Sequence, residues 1–250
     1  MFEIVHLSDI HIGHSEKAEA SASALAKYIT GRFPEGTVVV ITGDLVHTGA
    51  ASEYERLAAT LLNPLREKFT VLTVPGNHDY CADWFGSRFS EESAGLYHGL
   101  GYGPFPCVHT VPGEDTVLIG LDSADPDDRV WFSGGLADRR QVSRLKEILT
   151  EHASKLKIVY FHHHPFCIRL MMIMWGGSGL LKAMASHGAD VALFGHRHWS
   201  QVFRDTRGVP LMLASRKSTS PRWFSGKLSF RVLEVGKGEM KGFRSEEFRP

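Results

Sequence analysis

Six short apolar runs recur between residues 2 and 194, and most of them are rich in valine and isoleucine. The runs are apolar on both faces, which is typical of strands buried between other layers of a fold. They read FEIVHL (2–7), TVVVIT (37–42), TVLTV (70–74), TVLIGL (116–121), LKIVYF (156–161) and DVALF (190–194). Any fold for this chain must therefore cover both faces of several short strands.

Helix-like segments lie between these runs, at residues 15–29, 52–68, 138–154 and 178–187. Alternation of strands and helices predicts βα units around largely parallel strands. After residue 198 the pattern changes to short strands separated by turns, SQVFRD, VPLMLA, KLSFRVLEV and EMKGFRSEEF, which favour antiparallel pairing. The sequence has no evident repeat or linker, so we expect a single α/β domain over residues 1–250.

Charge and cysteine content narrow the class of protein. The 28 basic and 28 acidic residues balance, which argues against a broad nucleic-acid surface. Three scattered cysteines do not make a disulfide framework, so we expect reduced thiols, and no signal-peptide pattern opens the sequence. No stretch approaches the roughly 18 uncharged apolar residues that span a bilayer. We therefore expect a cytoplasmic protein without a membrane span.

Polar side chains follow five of the predicted strands. In open α/β sheets, ligands bind in the crevice beyond the carboxyl ends of the strands. The five segments are Asp9-Ile10-His11, Gly43-Asp44, Pro75-Gly76-Asn77-His78-Asp79, His162-His163-His164-Pro165 and Gly195-His196-Arg197-His198. Each segment alone has an ordinary explanation as a cap or turn, but all five together favour one shared site.

The residue types predict a metal centre. Carboxylate, carboxamide and imidazole ligands without thiolate suit Mn, Fe or Zn in a site other than a cysteine-type structural zinc site. Six or seven ligands exceed the need of one ion, whereas two ions that share a carboxylate would use them all. Such a pair promotes in-line displacement at phosphorus by clamping the attacking and leaving oxygens and acidifying a bound water.

The motifs D-x-H, G-D, G-N-H-D, H-(H)-(H)-P and G-H-x-H, in this order from Asp9 to His198, resemble the calcineurin-like metallophosphoesterases. Their spacing is most similar to the class III cyclic-nucleotide phosphodiesterase branch. The resemblance implies a four-layer αββα sandwich with two divalent or mixed-valence ions at one edge of its sheets. It implies these ligands: Asp9, His11, Asp44 and His198 for one ion, and Asp44, Asn77, His162 and His196 for the other.

His78 resembles the family's histidine that is not a ligand. It would stabilise charge on the phosphoryl group or protonate the leaving oxygen. Asp79 is expected to orient its loop. Of the histidine triplet, His162 directly follows its strand and is the expected ligand.

The substrate contacts are predicted from weaker signals. His163, His164 and Arg169 are candidates, with packing or solvent exposure as the alternatives. The apolar segment 166–177 could form a lid, a homodimer contact or a buried turn. The SRKSTSPRW segment (215–223) departs from the small-residue loop expected in the cyclic phosphodiesterase branch.

One departure bears on the reaction. Phosphoprotein phosphatases of the family carry G-D-x-x-D-R-G, whereas residues 43–49 read GDLVHTG and lack that arginine and that second aspartate. His47 could replace the aspartate or could be a solvated loop residue. We therefore expect a phosphodiesterase for a small diester, with a 3',5'-cyclic nucleotide as one candidate. The alternatives are a pyrophosphatase for a nucleotide-linked lipid or sugar precursor, a phosphomonoesterase, a nuclease and a metal-free scaffold.

Overall fold

The computed structural model describes residues 1–81, 89–124, 133–166, 172–222 and 224–250. In chain order, the elements are β1 (Phe2–Leu7), α1 (Glu16–Arg32), β2 (Val38–Thr42), α2 (Ala51–Leu57), a π-helical segment (Ala58–Leu62), α3 (Asn63–Arg66), β3 (Thr70–Val74), a 3₁₀ turn (His78–Tyr80), α4 (Glu91–Gly99), β4 (Cys107–Thr110), β5 (Thr116–Gly120), β6 (Gly135–Leu136), α5 (Arg139–Glu151), β7 (Leu156–Tyr160), β8 (Met174–Trp175), α6 (Gly177–Ser186), β9 (Val191–Phe194), β10 (Gln201–Thr206), β11 (Val209–Ala214), β12 (Leu228–Gly236) and β13 (Glu239–Phe248).

Two large mixed sheets hold most of the strands. The first has the order β13-β12-β1-β2-β3, and the second has the order β10-β11-β9-β7-β5-β4. The strands β1, β2 and β3 are parallel to one another, as are β5, β7, β9 and β11. The strands at the margins pair antiparallel. The predicted parallel core is confirmed. The strands after residue 198 pair antiparallel as predicted, except that β11 also lies parallel to β9.

Alternation along the strands divides the core into three apolar layers. On β2, Val39 and Ile41 pack towards α1 to α4, whereas Val38 and Val40 pack towards the second sheet. The outer face of the second sheet packs against α5 and α6. The layers therefore run helices, sheet, sheet, helices, which confirms the expected four-layer αββα sandwich. In the described ranges, every helix is too short or too polar to cross a bilayer.

Candidate metal centre

Loops from both sheets converge at one edge of the sandwich. The segment after β1 is bonded to the segment after β2, since the Asp9 amide donates to the Gly43 carbonyl at 3.0 Å. In the second sheet, the Gly195 amide donates to the His162 carbonyl at 2.9 Å. These bonds align the carboxyl ends of neighbouring parallel strands. The polar residues predicted to share a site are thereby brought together.

Two carboxylates and two imidazoles form a first cluster. Asp9, His11, Asp44 and His198 each offer a ligand atom, and these atoms all lie within 4.8 Å of one another. Nε2 of His198 lies 3.3 Å from Oδ1 of Asp9 and 3.3 Å from Nε2 of His11. Asp9, His11 and Asp44 are buried, whereas 44% of the His198 side chain is exposed. This cluster therefore opens to solvent through His198.

A second cluster is formed by histidines of the second sheet. His162, His163 and His196 offer ligand atoms within 4.8 Å of one another, and all three are buried. Nε2 of His162 lies 3.1 Å from Nδ1 of His196. Asn77 is also buried, on the loop that carries His78. The geometry adds His163 to the residues expected in this half of the site.

Asp44 joins the two clusters through one oxygen atom. Its Oδ2 lies 3.5 Å from Nε2 of His11 and 3.3 Å from Nε2 of His162. Its other oxygen, Oδ1, accepts a hydrogen bond from the His78 amide at 3.1 Å. A single carboxylate thus faces ligand groups from both sheets, which is the arrangement that a bridging ligand requires.

The hydrogen bonds around the clusters show that they suit cations. Nδ1 of His162 lies 2.7 Å from the Thr42 carbonyl oxygen, which can only accept, so Nδ1 carries the proton. In the neutral ring, Nε2 then has a lone pair and no proton. That lone pair faces the Asp44 carboxylate. Likewise, Ser8 donates to Oδ2 of Asp9 at 2.6 Å and leaves Oδ1 towards His198. Converging lone pairs repel one another unless a cation or a proton lies between them.

Backbone strain is concentrated in the same residues. Left-handed φ angles are uncommon for residues other than glycine, and they accumulate at functional sites. Five of the seven expected ligands have such angles, namely Asp9 (54°), His11 (51°), Asp44 (52°), His196 (72°) and His198 (56°). The strain turns each side chain inwards at the point where its strand ends.

Two glycines make room for this packing. A Cβ on Gly76 would lie 2.2 Å from Oδ1 of Asp44, although Gly76 has no left-handed φ angle. A Cβ on Gly43 would lie 2.6 Å from Nδ1 of His162, and Gly43 has a φ angle of +78°. Glycine is therefore required at both positions because the neighbouring side chain packs directly against the backbone. At Gly43, the left-handed φ angle is a second reason.

Burial and neighbouring charges shift the pKa values of the expected ligands in opposite directions. Burial opposes protonation of His162, but the Asp44 carboxylate outweighs it and raises the pKa of His162 to about 9. Burial holds the pKa values of His11 and His196 well below the ordinary value. In the absence of metal, the proton between the sheets therefore resides on His162.

Asp79 binds two of the loops together. Its buried carboxylate accepts hydrogen bonds from the amides of Leu45 (2.8 Å), Val46 (3.1 Å) and Gly76 (2.8 Å). Burial, assisted by the Asp44 charge, raises the pKa of Asp79 to about 8. The expectation that Asp79 orients its loop agrees with these contacts.

His78 lies at the rim of the first cluster. Its ring centroid is 4.7 Å from that of His11, and its Nδ1 lies 2.7 Å from the main-chain carbonyl oxygen of His47. The His47 ring stacks on His78 at 5.2 Å with an interplanar angle of 17°. His47 is therefore neither a distant nor a freely solvated loop residue.

The three predicted substrate contacts have different outcomes. His163 is a fully buried member of the second cluster, with its Nδ1 3.0 Å from Oγ of Ser123. The structure does not bring His164 to the site, because it packs against Phe166 and Phe194 on the outer side of the second sheet. Arg169 lies outside the described residues. The described parts of the 166–177 segment include Phe166 and Met174, which pack against the outer core of the second sheet.

Comparison with known proteins agrees with this geometry. The sequence model of calcineurin-like phosphoesterases matches residues 2–200. A search of curated protein sequences gives no match. A dimetal phosphatase from Danio rerio has a similar structure over 98% of this chain and 98% of its own, with a TM-score of 0.72 and 15% identity.

Two further solved structures are similar. Phosphopantetheinyl hydrolase from Mycobacterium tuberculosis aligns over 87% of this chain and 91% of its own, with a TM-score of 0.56 and 14% identity. A 5'-nucleotidase precursor from Thermus thermophilus aligns over 99% of this chain and 54% of its own, with a TM-score of 0.57 and 14% identity. At these identities, the likeness establishes the fold.

Proposed function

Since the chain belongs to the calcineurin-like phosphoesterase family and is a metal-dependent phosphoester hydrolase, we propose that its substrate is a small phosphodiester. The observation that carries the metal-dependent reaction is the position of Asp44 Oδ2, which faces His11 and His162 at 3.5 and 3.3 Å. It supports a centre for two ions at the edge where both sheets end. A 3',5'-cyclic nucleotide is one candidate within this substrate class.

The proposed ligands divide between two ions that share Asp44. The first set is Asp9, His11, Asp44 and His198, and the second is Asp44, Asn77, His162 and His196. When bound, two such ions would acidify a water and neutralise charge on the phosphoryl oxygens. Mn, Fe or Zn suits the oxygen and imidazole donors.

We assign His78 the role of assisting the leaving group. Its Nδ1 is held by the His47 carbonyl, so the proton that the ring can exchange is on Nε2. From its place beside His11, His78 would stabilise charge on the phosphoryl group or donate its Nε2 proton to the departing oxygen. The protein thereby fixes the ring without a carboxylate partner.

Charge at the site favours a diester over a monoester. A phosphomonoester dianion carries one more negative charge than a diester and benefits more from a gripping cation. The GDLVHTG loop supplies no arginine for that purpose. Of the charged side chains on the site's described loops, Lys217 carries the ammonium that interacts electrostatically with Asp9 and Asp44. The site is therefore better matched to a singly charged phosphoryl group.

The balanced sequence charge supports a small substrate over a nucleic acid. We also propose a cytoplasmic protein, because the three scattered cysteines of the sequence do not make a disulfide framework. A homodimer is a separate proposal, and mass measurement in solution tests it. The exposed side chain of Trp175 supports it.

Activity after metal exchange tests the proposed function. The protein is stripped with chelator and reloaded with Mn²⁺, and hydrolysis of bis(p-nitrophenyl) phosphate is compared with that of p-nitrophenyl phosphate. We expect metal-dependent preference for the diester and loss of diester hydrolysis in Asn77→Ala. His78→Ala should lower diester hydrolysis by a smaller factor, because p-nitrophenolate departs without a proton. Strong preference for the monoester would contradict the phosphodiesterase proposal but would leave the proposed metal centre standing. Absence of both activity and bound metal would favour a scaffold.

A further inference from the structure

A basic pocket adjoins the first metal cluster. It has a volume of about 400 Å³, and its lining includes His14, Lys17, Lys217 and Arg222. No carboxylate is among the described residues that line it. The sequence as a whole has no excess of positive charge, so this concentration of cationic side chains is local. A pocket of this size and charge is suited to an anionic group.

Hydrogen bonds fix the Lys217 segment against the metal loop. The Ser218 amide donates to the Ser8 carbonyl at 2.9 Å, and the Ser8 amide donates to Oγ of Ser218 at 3.0 Å. One residue further, Thr219 donates to the Ile10 carbonyl at 2.8 Å. Ser218 and Thr219 are buried. The pocket wall and the loop that carries Asp9 and His11 therefore form one fixed unit.

Lys217 lies between the pocket and the metal cluster. Burial lowers its pKa, whereas the Asp9 and Asp44 carboxylates act in the opposite direction. On the other side, the Lys217 ammonium is the main cause of a lowered pKa at His14. When Asp9 and Asp44 are committed to metal ions, Lys217 has no ion-pair partner in the part of the chain that the structure describes. A substrate anion would supply that partner.

The rest of the wall adds to this charge. Lys17 is exposed on the first turn of α1, where the positive end of the helix dipole also lies. Arg222 is partly committed, because it donates to Glu247. The available cations are thus Lys17 and Lys217, with Arg222 as a weaker contributor.

We propose that this pocket binds a second phosphate of the same substrate, so that the substrate class is a phosphodiester carrying a further phosphate group. The inference rests on the proposed diesterase function and adds a selectivity that the metal ligands alone would not give. Lys217 is a specificity-determining residue in this account.

A matched pair of chromogenic substrates tests the pocket. One is thymidine 5'-(p-nitrophenyl phosphate), and the other is the same compound with a phosphate on its 3' oxygen. We expect the added phosphate to raise kcat/KM by about tenfold or more with the Mn²⁺-loaded enzyme, mainly through KM, since hydrogen bonds between charged groups contribute that much. The preference should be reduced in Lys17→Gln and lost in Lys217→Gln.

Lys27→Gln is the control, because Lys27 is an exposed lysine about 15 Å further along the same helix. It should keep the wild-type preference. Calorimetry on the Mn²⁺-loaded protein gives a second readout, in which thymidine 3',5'-bisphosphate should bind more tightly than thymidine 5'-phosphate, and Lys217→Gln should remove the difference. Equal kcat/KM for the two substrates, or a preference that survives Lys217→Gln, would overturn the inference alone. Cleavage of neither substrate would overturn the proposed function with it.

Discussion

Nδ1 of His78 lies 2.7 Å from the main-chain carbonyl oxygen of His47. The sequence lacks the second aspartate of G-D-x-x-D-R-G, and this carbonyl provides an acceptor for the histidine in its place. The bond fixes the orientation and the tautomer of the His78 ring. Because the acceptor belongs to the backbone, it does not depend on the side chain at position 47.

Substitutions at these two positions should therefore have unequal effects on activity. We expect His78→Gln to lower kcat by about 10²–10⁴ for a diester with an alkyl leaving group, the usual range for proton transfer. His47→Ala keeps the carbonyl and should cost less than about tenfold in kcat. An acid role for His78 also predicts a dependence on the leaving group. p-Nitrophenolate departs without a proton, so the decrease in kcat on His78→Gln should be smaller for a p-nitrophenyl diester. Equal losses at both positions would contradict the backbone anchor.

Close approach at Gly76 predicts a large effect for one methyl group. A Cβ there would lie 2.2 Å from Oδ1 and 2.6 Å from the amide nitrogen of Asp44. We expect Gly76→Ala to lower the unfolding free energy by about 1–3 kcal/mol and to reduce the amount of metal bound per chain. Gly95→Ala on α4 has no atom within 4 Å of the new Cβ and should stabilise by about 0.5–1 kcal/mol with normal metal content. Metal analysis and urea unfolding of both variants check this.

Stability of the metal-free protein should fall in alkaline solution. The pKa of His162 is about 9 in the folded state, against an ordinary value of 6.5, so folding takes up a proton between these values. That stabilisation is complete below pH 6.5 and is lost as the pH rises through about 9. Asp79, with a pKa of about 8, acts in the same direction.

Urea unfolding of chelator-stripped protein across this pH range should show a loss of roughly 3 kcal/mol from His162, because a tenfold change in proton affinity corresponds to about 1.4 kcal/mol, and Asp79 should add to it. His162→Gln should reduce the slope. Mn²⁺ loading should remove the His162 contribution because the metal displaces the proton, leaving the dependence due to Asp79 below about pH 8. Rising stability over the same range would contradict the charge arrangement between Asp44 and His162.

Asp79 is expected to contribute mainly to structure. Asp79→Asn retains the side-chain size but replaces one acceptor oxygen, so one of the three loop amides loses its bond. A buried unsatisfied amide costs about 1–3 kcal/mol, and we expect that loss in unfolding free energy. Mn²⁺ affinity should fall less than in Asp44→Asn. A variant as stable as the wild type would show that Asp79 does not hold the loops.

The buried strands were predictable because each lies in a short run made up mostly of apolar residues. The edge strand β4 was not, since its residues alternate between partly buried and exposed and Val108 is 44% exposed. The segment 52–68 was expected to be one helix. Pro64 has no amide to donate, and the chain passes through a π-helical segment immediately before it.

The residue types of the proposed ligands and their positions at strand ends could be predicted from the sequence, because each polar segment follows its own apolar run. The placement of Lys217 was not, since it depends on bonds between Ser8 and Ser218, which are 210 residues apart. His163 and His164 differ by one position and face opposite sides of the second sheet. The pairing of β7 with its neighbours determines that His163, and not His164, contacts His196.

Electron paramagnetic resonance of the Mn²⁺-loaded protein, with metal analysis on the same sample, tests the shared position of Asp44 most directly. We predict two ions per chain and a spectrum of exchange-coupled Mn²⁺, with both the coupling and the second ion lost in Asp44→Ala. One ion per chain, or the spectrum of isolated Mn²⁺ ions in the wild type, would contradict a centre bridged by this carboxylate.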